Sequence, residues 1–446
     1  MIKKRKIAVI GAGISGLSVG YYLKKNKNID LDIFESTGTP GGVLSSEIIN
    51  DCVIEWGARG IRPSGKGEIT LQIIKEIGIF NDLVFSSDSS RKRYLYHNGK
   101  LNLVPFSIKS IIKSPYLKLI ISSIFKDLLS KSVNSDESIY SFFERHIGQK
   151  ATNLFIDSLI SGIWAGNIKK MSVKAAFPDL KKSEKKFGSI ILSQLFTNKS
   201  NTKSEFSKKI TSKALFSFKN GMQDLCYGLS NKLVDNISYK SKVTNIKIDK
   251  KIKINVNNKD FFYDHVVSAI PSFSLSKIVD SKLSKILQQF NYSSIAVYNI
   301  IIPKSTFNFD GFGFLVPSSE KSIVLGVIAN SNTFIEHSSK YFESYTIMLG
   351  GERYSYDFLS KIDVRKISLQ FLKKVFKTEI IVKKDSLRLI RNAIPQYDIN
   401  HYKKINELEK LNIKNFHIGG NYLSGVALKD IIFNSRELAN KILFNF

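Results

Sequence analysis

Gly11, Gly13 and Gly16 stand in G-x-G-x-x-G spacing within the segment AVIGAGISGL. Glycines so spaced make a cradle for a dinucleotide. The first allows a tight turn, the second lets backbone approach a pyrophosphate, and the third lets a helix close on a strand. Backbone N–H groups at that helix N-terminus then face the phosphates. Glu35 falls about 20 residues further on, where a carboxylate accepts hydrogen bonds from ribose hydroxyls. A second glycine-rich run, FHIGGNYLSGVALKDII, occupies residues 416–432, a few turns from the end of the sequence.

Two further signals bear on which dinucleotide is held. Gly41-Gly42 follow the ribose acid in STGTPGGVLSSE, and Glu55-x-Gly57 follows in VIEWGARGIRP. A plain NAD dehydrogenase would continue into more strand–helix units, so the pattern favours FAD over NAD. The late glycine run then serves the other end of the same cofactor. Gly419 and Gly420 end a strand, and Gly425 opens the last helix. Backbone N–H groups at Val426, Ala427 and Leu428 would face the pyrimidine edge of the flavin. Positive helix-end potential there stabilises the anionic reduced form. No acid–base dyad stands out. Cys52 and Cys226 form no C-x-x-C pair, and the six histidines form no H-E-x-x-H. Thiol or metal catalysis is therefore not expected.

The elements that position these residues follow from hydrophobic periodicity. KIAVI (6–10) is a continuous apolar run, as a buried parallel strand should be, and LDIFE (31–35) is the next strand, with a helical pattern between them. Residues 66–85 read as helix and turn, and 92–105 as a hairpin around Asn98-Gly99. Residues 107–165 read as helices, 181–213 as an exposed Lys/Ser-rich loop, and 242–271 as a meander. Residues 295–350 are strand-rich and 355–376 helical. The last strand, NFHIGG, leads into a helix with Leu428, Ile431, Ile432, Leu438 and Ile442 on one face. The expected fold class is α/β. A discontinuous Rossmann-like FAD-binding domain covers 1–90, 211–275 and 413–446; a β-rich substrate-binding domain covers 91–106 and 276–412; a helical insertion covers 107–210.

A chain of 446 residues, 43% apolar, has room for two or three globular domains. Its net charge of +29 implies attraction to anions, whether nucleic acid, an acidic membrane surface or acidic small molecules. Abundant Lys, Asn and Ile can also reflect a biased genome, which halves the weight of that clue. There is no recognised nucleic-acid-binding motif, so nucleic acid is not an expected partner. No apolar run reaches about 18 residues, and no apolar signal segment precedes the first strand. The expected location is cytoplasmic, soluble or peripheral on the inner face of a membrane.

A set of longer segments carries a narrower resemblance. EWGARGIRPSG, SGIWAGN followed by MSVKAAFPDL, GFGFLVPSSE, TIMLGG, NAIPQY and GGNYLSGVALKD occur in the order found in the protoporphyrinogen oxidase family. The chain resembles that family from about residue 6 to about residue 440. The first glycines are shared with amine oxidases and carotenoid desaturases; SGIWAGN with AAFP, and GFGFLVPSSE, are narrower. RGIRP and KRYLY resemble the type found in mitochondria more than the coproporphyrinogen-oxidising relatives.

The resemblance implies FAD contacts at Gly11, Ala12, Gly13, Ile14, Ser15, Gly16, Glu35, Gly42, Val43, Gly57, Ala58, Arg59, Gly60, Val243, Asn421, Val426, Ala427 and Leu428. Val43-Leu44-Ser45 departs from relatives that often carry Arg or Trp after the glycine pair. Substrate contacts are implied at Arg93, Gly162, Leu315, Leu325 and Met348. Read alone, Arg93 is a solvated charge beside Arg91 and Lys92, and the three apolar residues are core. In the family, Arg93 maps onto a propionate-binding arginine, whose planar fork suits a carboxylate. Gly162 would let a planar ring approach backbone, and the apolar three would clamp that ring. Ser114 is a candidate N-cap, with Pro115 just inside a helix whose stripe is Leu117, Ile120, Ile121, Ile124 and Leu128. That helix is either packed in its domain or dips into acidic lipid, which is the membrane-associated role of the insertion in the family.

The implied reaction converts protoporphyrinogen IX to protoporphyrin IX by three two-electron hydride transfers from the macrocycle to FAD. Oxygen is the implied final acceptor, in haem biosynthesis. Electron-rich pyrroles stabilise the cation left behind, so no strong general base is needed. Coproporphyrinogen III oxidation, and other amine oxidase or desaturase chemistry, remain open, as does a homodimer.

Overall fold

The structure, a computed structural model, describes residues 4–105, 107–196 and 215–444. Five parallel strands carry the first glycine run. In spatial order they are Phe416–Ile418, His265–Ser268, Arg5–Ile10, Ile29–Phe34 and Ile237–Ser238. The central strand is covered on both faces, which explains its unbroken apolar run. Ile7 and Val9 point into a core with the helices Ile14–Lys24 and Leu428–Phe444. Ala8 and Ile10 point the other way, into a core with the antiparallel meander Val243–Lys247, Ile252–Val256 and Lys259–Tyr263.

A second sheet has seven strands. Their order is Lys384–Pro395, Tyr292–Pro303, Phe342–Gly350, Val324–Ala329, Gly313–Leu315, Arg93–His97 and Lys100–Leu103. The last two form the expected hairpin, turning through Asn98 and Gly99 at φ 54° and 72°. The hairpin joins the sheet by parallel pairing of Arg93 with Gly313 and Leu95 with Leu315. Side chains alternate across the sheet. Tyr96, Phe314, Tyr298 and Tyr345 fill a core on one face with the helix Val364–Phe376. Leu95 and Leu315 lie on the other.

The helical part includes Leu117–Leu128, Ile139–Ile147, one π turn at Thr152–Ile156 and Asp157–Trp164. Three sequence expectations need correction. The segment expected as an exposed loop from 181 folds as the helices Pro178–Phe187 and Ile190–Phe196, and its remainder, 197–213, lies outside the described residues. Its lysines suggest solvent, yet Lys181 is buried between Glu137 and Glu184, at 2.7 and 2.8 Å. Ser114 does not cap the helix at 117; its hydroxyl accepts from the Tyr116 N–H at 3.1 Å, a turn too early. Gly425 does not open the last helix, which begins at Leu428. Among the described residues no helix is long and apolar enough to cross a membrane.

Candidate functional site

The first glycine run is closed to side chains. A Cβ on Gly16 would sit 1.9 Å from the Gly11 carbonyl oxygen, and Gly11 turns at φ 98°. Gly13 bridges Gly41, and the Gly41 N–H donates to the Ala12 carbonyl at 2.9 Å, so the two glycine loops are neighbours. Glu35 ties them to the second strand. Its Oε2 accepts from the Ala12 N–H, and its Oε1 from the Thr37 N–H and hydroxyl, all at 2.8 Å. Glu35 thus braces the cradle, a task its spacing did not reveal, and Oε2 keeps a lone pair for a ribose hydroxyl. Ile14 and Ser15 are buried at the helix entrance. Val243 is buried two residues after Ser241, whose N–H donates to the Glu35 carbonyl at 2.7 Å.

The late run is pinned from behind. Gly425 has φ 71°, and a Cβ there would meet the Asp430 Cβ at 2.4 Å. The Tyr397 hydroxyl donates to the Asn421 carbonyl, and His401 Nε2 donates to the Leu423 carbonyl at 2.8 Å. Their buried rings stack 4.3 Å apart. Asn434 Nδ2 donates to the Ser424 carbonyl at 3.0 Å. Val426, Ala427 and Leu428 lead into the helix; the Asp430 and Ile431 N–H groups bond back to the Ala427 carbonyl, and the N–H groups ahead of them come before any intrahelical acceptor. Ser435 on that helix donates to the Ser15 carbonyl at 3.2 Å, so the two glycine runs meet.

Beside Val43 lies the loop Gly57, Ala58, Arg59 and Gly60. A Cβ on Gly57 would stand 2.7 Å from the Val43 carbonyl oxygen, and one on Gly60 would stand 2.9 Å from Phe216 O. Gly42 (φ 61°), Val43 and Ala58 leave backbone open, Val43 being 73% exposed. Burial lowers the Arg59 pKa to about 10, with the Glu55 charge pulling it back. Burial also raises Glu55 to about 7, against hydrogen bonds from the Met222 N–H and the Ser46 hydroxyl, both 2.7 Å. Arg388 stacks 3.8 Å over the Trp56 ring and pairs with Glu47.

The residues assigned to substrate fall on the open face of the seven-stranded sheet and the helix above it. A Cβ on Gly162 would come within 2.5 Å of Leu315 Cδ2, so these two touch. Leu325 and Met348 cluster with Trp56, Ala165 and Val297. Leu325 is only 4% exposed and supports the wall from within, whereas Leu315 and Met348 are half-buried. Arg93 is exposed at the start of its strand, its guanidinium 4.9 Å over Phe312. Desolvation, then the Arg62 charge, lowers its pKa, and no ion pair reaches it among the described residues. No cluster of three or more potential metal ligands occurs among them either.

A side-chain-free cradle and a pinned helix entrance, meeting on one parallel sheet from opposite ends of the chain, fit FAD and define a flavin-dependent oxidoreductase. The family model for flavin containing amine oxidoreductases matches residues 14–430. The chain is 32% identical to protoporphyrinogen oxidase of Dictyostelium discoideum, over 98% of this chain and 99% of that one. It is 27% identical to the protoporphyrinogen oxidase of Bos taurus, over 98% of each. A crystal structure from Exiguobacterium sp. 255-15, provisionally described as a protoporphyrinogen oxidase, superposes with TM-score 0.84 over 100% of both chains at 18% identity. The chain belongs to the flavin containing amine oxidoreductases and, within them, to the protoporphyrinogen oxidase family.

Proposed function

We propose that the protein oxidises protoporphyrinogen IX to protoporphyrin IX in haem biosynthesis. The observation that carries this reading is the sheet face. Leu315 pairs with Gly326, Gly326 with Met348 and Met348 with Val297, a row across four strands. The row is apolar with a glycine in its middle. It suits a broad planar ring whose carboxylates reach Arg93 at the side.

Bound FAD supplies a two-electron acceptor, used three times per macrocycle. Residues 11–16 and Glu35 would hold its phosphates and ribose, and the N–H groups of Val426, Ala427 and Leu428 its redox end. Arg93 would take a propionate, and the apolar row would orient the ring and exclude water. The pyrroles themselves carry the positive charge that develops, so positioning outweighs proton abstraction.

The same reading makes residues 107–210 a membrane-associated domain between an FAD-binding domain (1–90, 211–275, 413–446) and a substrate domain (91–106, 276–412). The helix Leu117–Leu128 supports it. Ile121, Ile124, Phe125 and Leu128 are exposed, while the positions it buries are Ser123 and Asp127. With Lys118 and Lys126 beside it, that stripe suits an acidic lipid surface.

Anaerobic mixing with protoporphyrinogen, following flavin absorbance, tests cofactor, substrate and electron transfer together. Bleaching is expected, with slower turnover of coproporphyrinogen by porphyrin fluorescence. No bleaching, or faster turnover of coproporphyrinogen, overturns the proposal.

A further inference from the structure

Arg59 is an unusual charge. It belongs to the loop assigned to the flavin and reaches the short helix Asn330–Thr333. Its Nε donates to Asn330 Oδ1 at 3.1 Å and its Nη1 to the Gly57 carbonyl at 3.4 Å. A guanidinium has five N–H donors, which leaves the rest without an acceptor among the described residues. No ion pair reaches it there. Glu55 attracts it without touching it. A part-buried cation held by two neutral acceptors, with donors to spare, suits an anionic partner.

Asn330 leads away from Arg59 through a buried chain. Its Nδ2 donates to Thr346 Oγ1 at 3.0 Å, and that hydroxyl donates to Asn299 Oδ1. Thr346 and Asn299 face each other in register on neighbouring strands of the substrate sheet. Asn330 is 4% exposed and the other two 0%. The cation sets the direction: Arg59 needs an acceptor, so Asn330 turns its oxygen to it and its amide hydrogens to Thr346. Aligned bonds of this kind polarise one another. The chain ends on Asn299 Nδ2, which has no acceptor among the described residues.

We propose that Asn330, Thr346 and Asn299 are positioning residues that hold the Arg59 guanidinium, as a cation with no carboxylate in contact, toward the bound flavin cofactor, and that this charge favours the reduced, more anionic cofactor over the oxidised one. FAD-reconstituted protein tests this without any porphyrinogen, so its outcome is separate from that of the substrate assignment. The readouts are the FAD Kd for the oxidised cofactor and the two-electron midpoint potential by spectroelectrochemistry.

Asn330→Asp keeps the acceptor but places a carboxylate on Arg59. It should weaken binding of reduced relative to oxidised FAD about tenfold, a fall of about 30 mV in potential. Thr346→Val, which frees Asn330 to rotate, should move the potential the same way by less. Thr346→Ser, which keeps the hydroxyl, should leave it at the wild-type value. An unchanged potential in Asn330→Asp and Thr346→Val overturns the proposal, even if Tm falls. If Asn330→Asp does not fold, the Thr346 pair decides: equal potentials in Val and Ser overturn it.

Discussion

Gly162 occupies a position where one added carbon changes a surface. Its missing side chain leaves a place that Leu315 Cδ2 fills, 2.5 Å from where a Cβ would stand. Gly162→Leu should push Leu315 out of its place on the sheet face while leaving the cofactor cradle alone. We expect FAD absorbance to persist and kcat/KM to fall at least tenfold, about 1.4 kcal/mol in the transition-state barrier. Equal activity in steady-state assays would take Gly162 out of the site. Glu55 makes a different residue-level prediction. Burial raises its pKa, so between about 4.5 and about 7 the folded chain keeps a proton that the unfolded chain releases. Stability therefore falls as pH rises through that window and levels off above it. Glu55→Gln removes the titration. In urea unfolding, the variant should gain on the wild type between pH 5 and pH 7.5; a constant difference refutes the assignment.

At the scale of elements, the helix Leu117–Leu128 is turned the opposite way from an ordinary domain helix. Its polar side is the buried one because polar groups wait for it there. Asp127 accepts from His146 Nδ1 at 2.6 Å and from the Ile191 N–H at 2.9 Å. Burial works against its charge, but these bonds and that of Ser189 win, and hold its pKa below the usual range. Leu119 and Ile120 pack at the helix edge, and Ile121, Ile124, Phe125 and Leu128 are left facing outward. Phe125→Glu with Leu128→Glu should cut binding to anionic vesicles at least tenfold in a flotation assay, since each apolar side chain contributes up to about 2 kcal/mol on burial. Raising the salt should also weaken the wild-type interaction. Binding that survives both treatments would mean another surface carries it.

At the scale of the whole molecule, the two ends of the chain act as one unit. The helix Ile14–Lys24 packs on Leu428–Phe444, and Ser435 reaches the Ser15 carbonyl. A cofactor held by both should stabilise the fold as a whole. FAD at a thousandfold excess over its Kd adds about 4 kcal/mol, seen as a Tm rise of several degrees in calorimetry. Gly425→Val should shrink that rise, because the new side chain meets Asp430 at a backbone angle that costs about 1–2 kcal/mol. An undiminished rise would place the flavin away from this loop.

Much of this was legible before any coordinates. The glycine spacing, the apolar strands, the hairpin turn and the α/β class are short-range features, set by sterics and periodicity within a few residues. The family segments placed the proposed site by resemblance. Periodicity also marked the stripe on the helix at 117, but not which side faces inward, since that depends on Asp127 finding His146. Nor could it separate Leu325, enclosed at 4% exposure, from half-buried Leu315, because both lie in apolar strands. Tyr397 and His401, which pin the late glycine loop, carry no local signature. The Arg59–Asn330 bond joins positions 271 apart. Such pairings exist only once packing has brought the strands together. The sequence by itself determined where a flavin would be gripped; the tertiary structure decided which buried polar groups hold that grip in place, because a hydrogen bond between distant residues depends on the fold that removes both from water.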